Sequence, residues 1–232
     1  MIKTILFDLD GTLLPMDQDK FIEEYFSAMA KRFAALGYDA EKSVKTVWKA
    51  ITIMFKNDGA QTNEEVFWAN LGEFEKVSAE AEIFDEFYEV DFQTLKNFCS
   101  FNEEIPEMIK EIKKAGYRLV LATNPVFPPI GTESRIKWAG LNPSDFELIT
   151  TYNNIGYCKP NPEYYMDIVK RLNLKAEECL MVGNDTDDDM TAEEIGMKVF
   201  LLTDCLINKK GKDITKYPNG NIDALKEFLN IK

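Results

Sequence analysis

Apolar residues recur with two different rhythms along this chain, and the change from one to the other divides it into parts. Residues 2–7, Ile-Lys-Thr-Ile-Leu-Phe, read as a short buried strand that ends in Asp8-Leu9-Asp10-Gly11-Thr12, where polar and flexible residues take over. From about residue 17 to residue 98 the period becomes 3.6, with no convincing strand in between. Phe21, Ile22, Tyr25, Met29, Phe33 and Leu36 make one stripe, stopped at Gly37. Val44, Val47, Trp48, Ile51, Met54 and Phe55 make a second, closed by the turn Asn57-Asp58-Gly59. Thr62 with Glu65 forms a capping-box signal for a third helix reaching residue 74. A fourth is predicted over 78–98, with Ile83, Phe84, Phe87 and Leu95 turned inward.

Beyond Asn102 helices and strands alternate. The pattern predicts a helix over 104–115 ended by Gly116, a strand over 118–122 running into Thr123-Asn124-Pro125, and a helix near 132–139. A strand near 147–150, a helix near 162–172, the apolar strand 179–182, a helix near 189–195 and a strand over 198–202 follow. A polar connection over 208–221 leads to a short last helix near 222–229. Strands that alternate with helices imply an α/β fold, a doubly wound parallel sheet whose ligands sit at the carboxyl ends of the strands. Residues 1–15 and 100–232 would make that α/β core, and 16–99 an inserted helical unit.

Composition narrows the chemistry. The 232 residues include no histidine, which removes Ser-His and Cys-His hydrolases and histidine-ligated zinc, and leaves acid–base work to carboxylates, Lys, Tyr or Cys. Cys99, Cys158, Cys179 and Cys205 show no zinc spacing and are too sparse for a disulfide framework, so they read as reduced thiols. A formal charge of -13 argues against nucleic acid or an anionic membrane as partner. The opening residues run straight into a strand pattern, and no stretch is apolar for long enough to span a bilayer, so a cytoplasmic protein is expected. Nothing in the pattern specifies an oligomeric state.

Four polar clusters fall at the predicted strand ends or in the loops beside them: Asp8 with Asp10, Thr123 with Asn124, Lys159 in Cys-Lys-Pro-Asn-Pro, and Asn184-Asp185-Thr186-Asp187-Asp188-Asp189. Carboxylates gathered in one crevice repel by roughly 4 kcal/mol per close pair at an effective dielectric of about 20, so a cation must sit among them. All-oxygen donors select a hard ion such as Mg2+, and a lone lysine beside it suits a phosphate dianion.

Taken in order, Phe7-Asp8-Leu9-Asp10-Gly11-Thr12-Leu13, Thr123, Lys159-Pro160 and Gly183-Asn184-Asp185 with Asp189 resemble the four motifs of the haloacid dehalogenase (HAD) superfamily. The insert resembles that family's α-helical cap of the first type in position and helical character. The resemblance implies a Rossmann-like core and a Mg2+-dependent phosphohydrolase acting on a small phosphorylated metabolite. Asp8 would be the nucleophile that becomes an aspartyl-phosphate, and Asp10 the acid and then the base. Thr123 and Asn124 would bind phosphoryl oxygens, and Lys159 would neutralise nucleophile and phosphate. The metal would be held by the Asp8 carboxylate, the Asp10 carbonyl and a carboxylate of the last motif. There the chain departs from the family's usual Gly-Asp, since Asn184 follows Gly183. Counting from Gly183 makes Asn184 the ligand, whereas a shift of one residue gives Asp185, which is favoured because an anionic oxygen binds Mg2+ more strongly; Asp188 and Asp189 would support it. A phosphomutase of the same fold, or a non-catalytic protein binding a phosphorylated ligand or a protein, are the competing expectations. The polar turn over 56–62 is nominated as a substrate-facing edge of the insert.

Overall fold

The computed structural model describes residues 1–71 and 77–231. Among them, six parallel strands form one sheet in the order β3-β2-β1-β4-β5-β6, made of β1 (Thr4–Phe7), β2 (Arg118–Leu121), β3 (Leu148–Ile149), β4 (Cys179–Gly183), β5 (Lys198–Leu202) and β6 (Asn219–Gly220). The order reverses at β1, which pairs with β2 on one side and β4 on the other.

Side chains alternate across the central strands and so build a core on each face. Ile5, Phe7, Leu119, Leu121, Leu180 and Val182 join one core, whereas Leu6, Val120 and Met181 join the other. The first is covered by α5 (Glu104–Lys114) and α8 (Ile222–Leu229), the second by α7 (Pro162–Arg171) and a 3-10 turn over Met190–Ile195. That turn stands where a regular helix is predicted. β6 lies in the segment read as plain connection: two residues of low apolar content carry no strand periodicity, and their place is set by pairing with Leu201 and Leu202.

Between β1 and α5 lie α1 (Gln18–Ala35), α2 (Ala40–Met54), α3 (Asn63–Asn70) and α4 (Val77–Glu86). Asp17 and Asp39 cap α1 and α2, and the Thr62–Glu65 capping box opens α3. Residues 72–74 of the predicted third helix lie outside the described residues. The fourth helix is not one regular rod: after α4 the chain widens to a π turn over Phe87–Asp91 and tightens to a 3-10 run over Phe92–Phe98. This change of pitch lets Phe87, Tyr88, Phe92 and Leu95 all turn inward. α6 (Pro129–Trp138) packs under this aromatic layer, with Phe92 stacked on Trp138 at 5.2 Å.

Candidate active site

Because β1, β2 and β4 are in register, their carboxyl ends coincide: Phe7 stands beside Leu121 and Val182. The backbone ties continue past the strands, with Asp8 N donating to Val182 O at 2.9 Å and Ala122 N to Phe7 O at 2.7 Å. Residues distant in sequence are thereby delivered to one crevice. Asp8, Asp10, Thr123, Asn124, Lys159, Asn184, Asp185, Asp188 and Asp189 line a single cavity, joined by Gln18 and Ile207. The sequence motifs nominate the first nine of these residues.

Lys159 sits at the centre. Its side chain is buried and donates to Asp8 Oδ1 at 3.0 Å and to Asp189 Oδ1 at 2.6 Å. Burial opposes the ammonium charge, but Asp189 and Asp8 outweigh it and hold Lys159 well above the usual lysine range. Burial pushes Asp8 up to about 7, against the pull of Lys159 and with the repulsion of Asp189 and Asp10. Asp189 is fully engaged, since its Oδ2 accepts from Asp185 N at 3.0 Å. A Cβ at Gly183 would lie 2.1 Å from that Oδ2, so the lysine's anchor requires glycine there.

Around this pair the last motif divides its labour. Asp185 Oδ1 accepts from Asp187 N at 2.6 Å and Asp188 N at 3.0 Å, shaping its own turn, and burial raises its pKa against those donors. Asn184 faces Asp8: the Thr12 hydroxyl lies 3.1 Å from Asn184 Oδ1 and 3.3 Å from Asp8 Oδ2. Gly11, at φ +82°, passes so close that a Cβ would come within 2.3 Å of Asn184 Nδ2. Burial pushes Asp188 up to about 6, with repulsion from Asp189, and its Oδ2 accepts from Asn124 Nδ2 at 3.2 Å.

Asp10 has a different partner. Arg135 of α6, fully buried, donates through Nη1 to Asp10 Oδ2, while among the described residues no donor reaches Asp10 Oδ1. Sequence reading misses Arg135, since an arginine in a helix ordinarily reads as solvated, and here tertiary packing alone encloses it. Thr12 stands within the first motif without a role of its own, and Gln18 escapes sequence reading. The turn over 56–62 takes no part in the cavity's lining. It is a strut: Asn57 Nδ2 donates to Asn63 Oδ1 at 2.8 Å, and Asn63 donates through Nδ2 to Pro125 O at 3.0 Å and through N to Ile155 O at 2.9 Å.

Asp8, Asp185, Asp188 and Asp189 line the cavity that holds the single ammonium of Lys159, an excess of negative charge that calls for a further cation. Among the described residues no three His, Cys, Asp or Glu side chains converge as a ready-made ion site. A bound ion would therefore need carbonyl or amide oxygens and water as well, a mixture typical of Mg2+. The four cysteines are free thiols, and no helix among the described residues is long and apolar enough to cross a membrane.

Comparison with known proteins agrees with this geometry. A glyceraldehyde 3-phosphate phosphatase of Methanocaldococcus jannaschii is 29% identical over 239 residues, covering 100% of this chain and 97% of the relative. Among solved structures, a 2-haloacid dehalogenase from Pseudomonas syringae superposes with a TM-score of 0.66 at 22% identity, covering 99% of both chains. The HAD-hydrolase YfnB from Bacillus subtilis, solved bound to magnesium, gives 0.58 at 21% identity, again over 99% of both. At such identities these two structures speak for the fold. The family model for haloacid dehalogenase-like hydrolases matches residues 2–196, and with the parallel sheet and the gathered motifs this places the chain in that family, as an enzyme.

Proposed function

We propose that this enzyme is a Mg2+-dependent phosphatase of small phosphorylated metabolites that works through a phosphoryl group carried on Asp8. The observation that carries the reading is the buried Lys159 shared by Asp8 and Asp189, which fixes a carboxylate nucleophile and a positive charge side by side. A lysine so held can neutralise an incoming phosphate without leaving Asp8. The phosphatase named among the relatives, whose length the chain matches, supports phosphomonoesters as substrates. The net charge of -13 weighs against nucleic acid or a membrane surface as partner.

In the first half-reaction an Asp8 oxygen attacks phosphorus, the bond to the leaving oxygen breaks with its electron pair, and Asp10 supplies the proton. In the second, Asp10 takes a proton from water as the water oxygen attacks phosphorus, inorganic phosphate departs and the Asp8 carboxylate is restored. Thr123 and Asn124 would hold phosphoryl oxygens opposite Lys159. Bound Mg2+ would offset the repulsion among the carboxylates, keep Asp8 ionised and draw charge from the phosphoryl group. Its protein donors would be the Asp8 carboxylate, the Asp10 carbonyl and the last motif. Within that motif we favour Asn184, with Asp188 nearby, over Asp185. Asn184 shares the Thr12 hydroxyl with Asp8, whereas one Asp185 oxygen already caps its own loop.

The helical unit over 16–99 would act as the cap. Gln18 at the start of α1 lines the cavity, and with Ile207 it also lines an adjoining open groove of about 740 Å³, where a leaving group would lie. Acid quenching during turnover of a 32P-labelled phosphomonoester should trap label on the wild-type protein, in a hydroxylamine-labile bond, and not on Asp8→Asn. Turnover without any trapped label, or label that survives in Asp8→Asn, would remove Asp8 from the role. A Mg2+ titration of Asn184→Ala, Asp185→Ala and Asp188→Ala decides the donor: the largest rise in Mg2+ requirement is expected for Asn184→Ala.

A further inference from the structure

The Asp10 carboxylate is held from one side only. Arg135 is buried to 0% exposure, and four contacts immobilise its guanidinium. Its Nε donates to Gly131 O at 3.2 Å, its Nη2 lies 3.4 Å from Thr132 Oγ1, its carbon stands 4.0 Å from the centre of the Phe127 ring, and its Nη1 meets Asp10 Oδ2. Phe127 is itself wedged against Tyr25 and Phe92 of the helical insert, at 5.5 and 6.1 Å. A planar, always charged group gripped this way cannot follow a moving carboxylate. It must instead fix one. The other Asp10 oxygen, Oδ1, is buried and has no donor among the described residues.

We propose that Arg135 is a positioning residue, which anchors Asp10 Oδ2 so that Oδ1 alone gives and takes the proton. This rests on the phosphatase reading above. In the first half-reaction the proton leaves Asp10 Oδ1 for the departing oxygen as the P–O bond breaks. The carboxylate that remains stays oriented by a guanidinium already in place, so Oδ1 keeps its direction for the second half-reaction. In the second, Oδ1 accepts the proton of the attacking water while Arg135 still holds Oδ2. Without the anchor the carboxylate rotates, and the fraction of time that Oδ1 faces the leaving oxygen falls.

The consequence is selective. A proton matters most when the leaving oxygen is basic and least when it departs readily as an anion, so Arg135 should govern the slope of rate against leaving-group basicity. The experiment measures kcat/KM, which reports the first half-reaction, for 4-nitrophenyl, phenyl and 4-methoxyphenyl phosphates with wild type, Arg135→Gln and Arg135→Lys. In Arg135→Gln the preference for the nitrophenyl ester over the methoxyphenyl ester should widen by about tenfold or more. Arg135→Lys, which keeps the charge and most of the volume, should fall between it and wild type, and it carries the test if the Gln variant does not fold. An equal loss on all three esters, or no change on any, would overturn the positioning role. Wild-type protein inactive on all three would instead overturn the phosphatase reading itself.

Discussion

Two carboxylates two residues apart, Asp8 and Asp10, leave the end of β1 for different surroundings, each with a buried cation. Lys159 serves Asp8 from the loop before α7 and divides its charge between two carboxylates. Arg135 serves Asp10 from α6, beneath an aromatic layer shared with the helical insert, and Asp10 is its carboxylate partner among the described residues. One region gathers more carboxylates than its one ammonium can balance, and there we propose that a metal and a phosphate bind. The other is a closed one-to-one pair, and it fixes orientation. An excess of charge marks where ligands bind, whereas balance marks a device that holds another group still.

The sharpest way to break this comparison is at Asp8, the proposed nucleophile. Asp8→Asn should lower kcat by at least about a thousandfold, the scale expected when a covalent nucleophile is lost. Its melting temperature should hold or rise, because Lys159 keeps Asp189 and a buried negative charge is gone. Appreciable turnover in a folded Asp8→Asn protein would make the first region structural.

Removing either cation or its match tests the charge balance next. Lys159→Met should cost activity about a hundredfold or more, the loss typical of a fixed charge at a developing transition state. Asp10→Ala should destabilise by about 3 kcal/mol, since it strands a buried guanidinium, and chemical denaturation should show a lower midpoint at unchanged slope. If Asp10→Ala were as stable as Asp8→Asn, Arg135 would have another partner and the contrast between the two regions would fail.

A gentler probe is pH. Asp8, raised from 3.8 to about 7 chiefly by burial, is more easily protonated in the folded than in the unfolded chain. Its contribution to stability is complete below about pH 4 and is lost as pH rises through about 7. Asp188, raised to about 6, acts in the same sense. In EDTA the melting temperature should therefore drop from pH 5 to pH 8, and Mg2+ should restore roughly 3 °C or more at pH 8 but little at pH 5. A Mg2+ effect that is constant across this range would show that the ion does not meet these carboxylates.

The smallest expected effect belongs to the groove. Gln18→Ala should change kcat/KM by about threefold to tenfold on some metabolite phosphates and leave a small aryl phosphate within about twofold. The same experiment on Asn57→Ala should instead lower stability without changing preference, because that turn braces the insert against residues 125 and 152–158.

Period and punctuation in the chain made the element order legible. The Thr62–Glu65 capping box and the last helix at Ile222–Leu229 stand as read, because caps are local facts. Of the two helical stripes Phe21, Tyr25, Met29, Phe33, Val47 and Met54 are buried, whereas Ile22, Leu36, Trp48 and Phe55 stay exposed, because the width of a buried face is set by what packs on it. The Asp8, Thr123, Lys159 and Asn184–Asp189 clusters were legible too, since each follows a strand or lies in the loop beyond one, and parallel strands in one sheet must end on one side. The break after α4 and the two-residue β6 were not, because the first answers to how several aromatic rings pack and the second to a neighbouring strand. Nor were the separate duties of Asn184 and Asp185, which are set by which oxygen the loop uses for its own backbone.

By itself, the sequence determined a parallel α/β sheet with a run of helices after the first strand, and the four clusters that must meet at its carboxyl edge. Only tertiary structure decided which cation each carboxylate keeps. Lys159 comes from a strand-end loop, so its meeting with Asp8 follows from sheet order. Arg135 lies on a helix whose exposed or buried side cannot be told from its own residues. It became a buried partner of Asp10 because Phe92 and Tyr88 from the helical region, with Phe127 just before α6, roof that helix, and a guanidinium so enclosed persists only where a carboxylate can reach it.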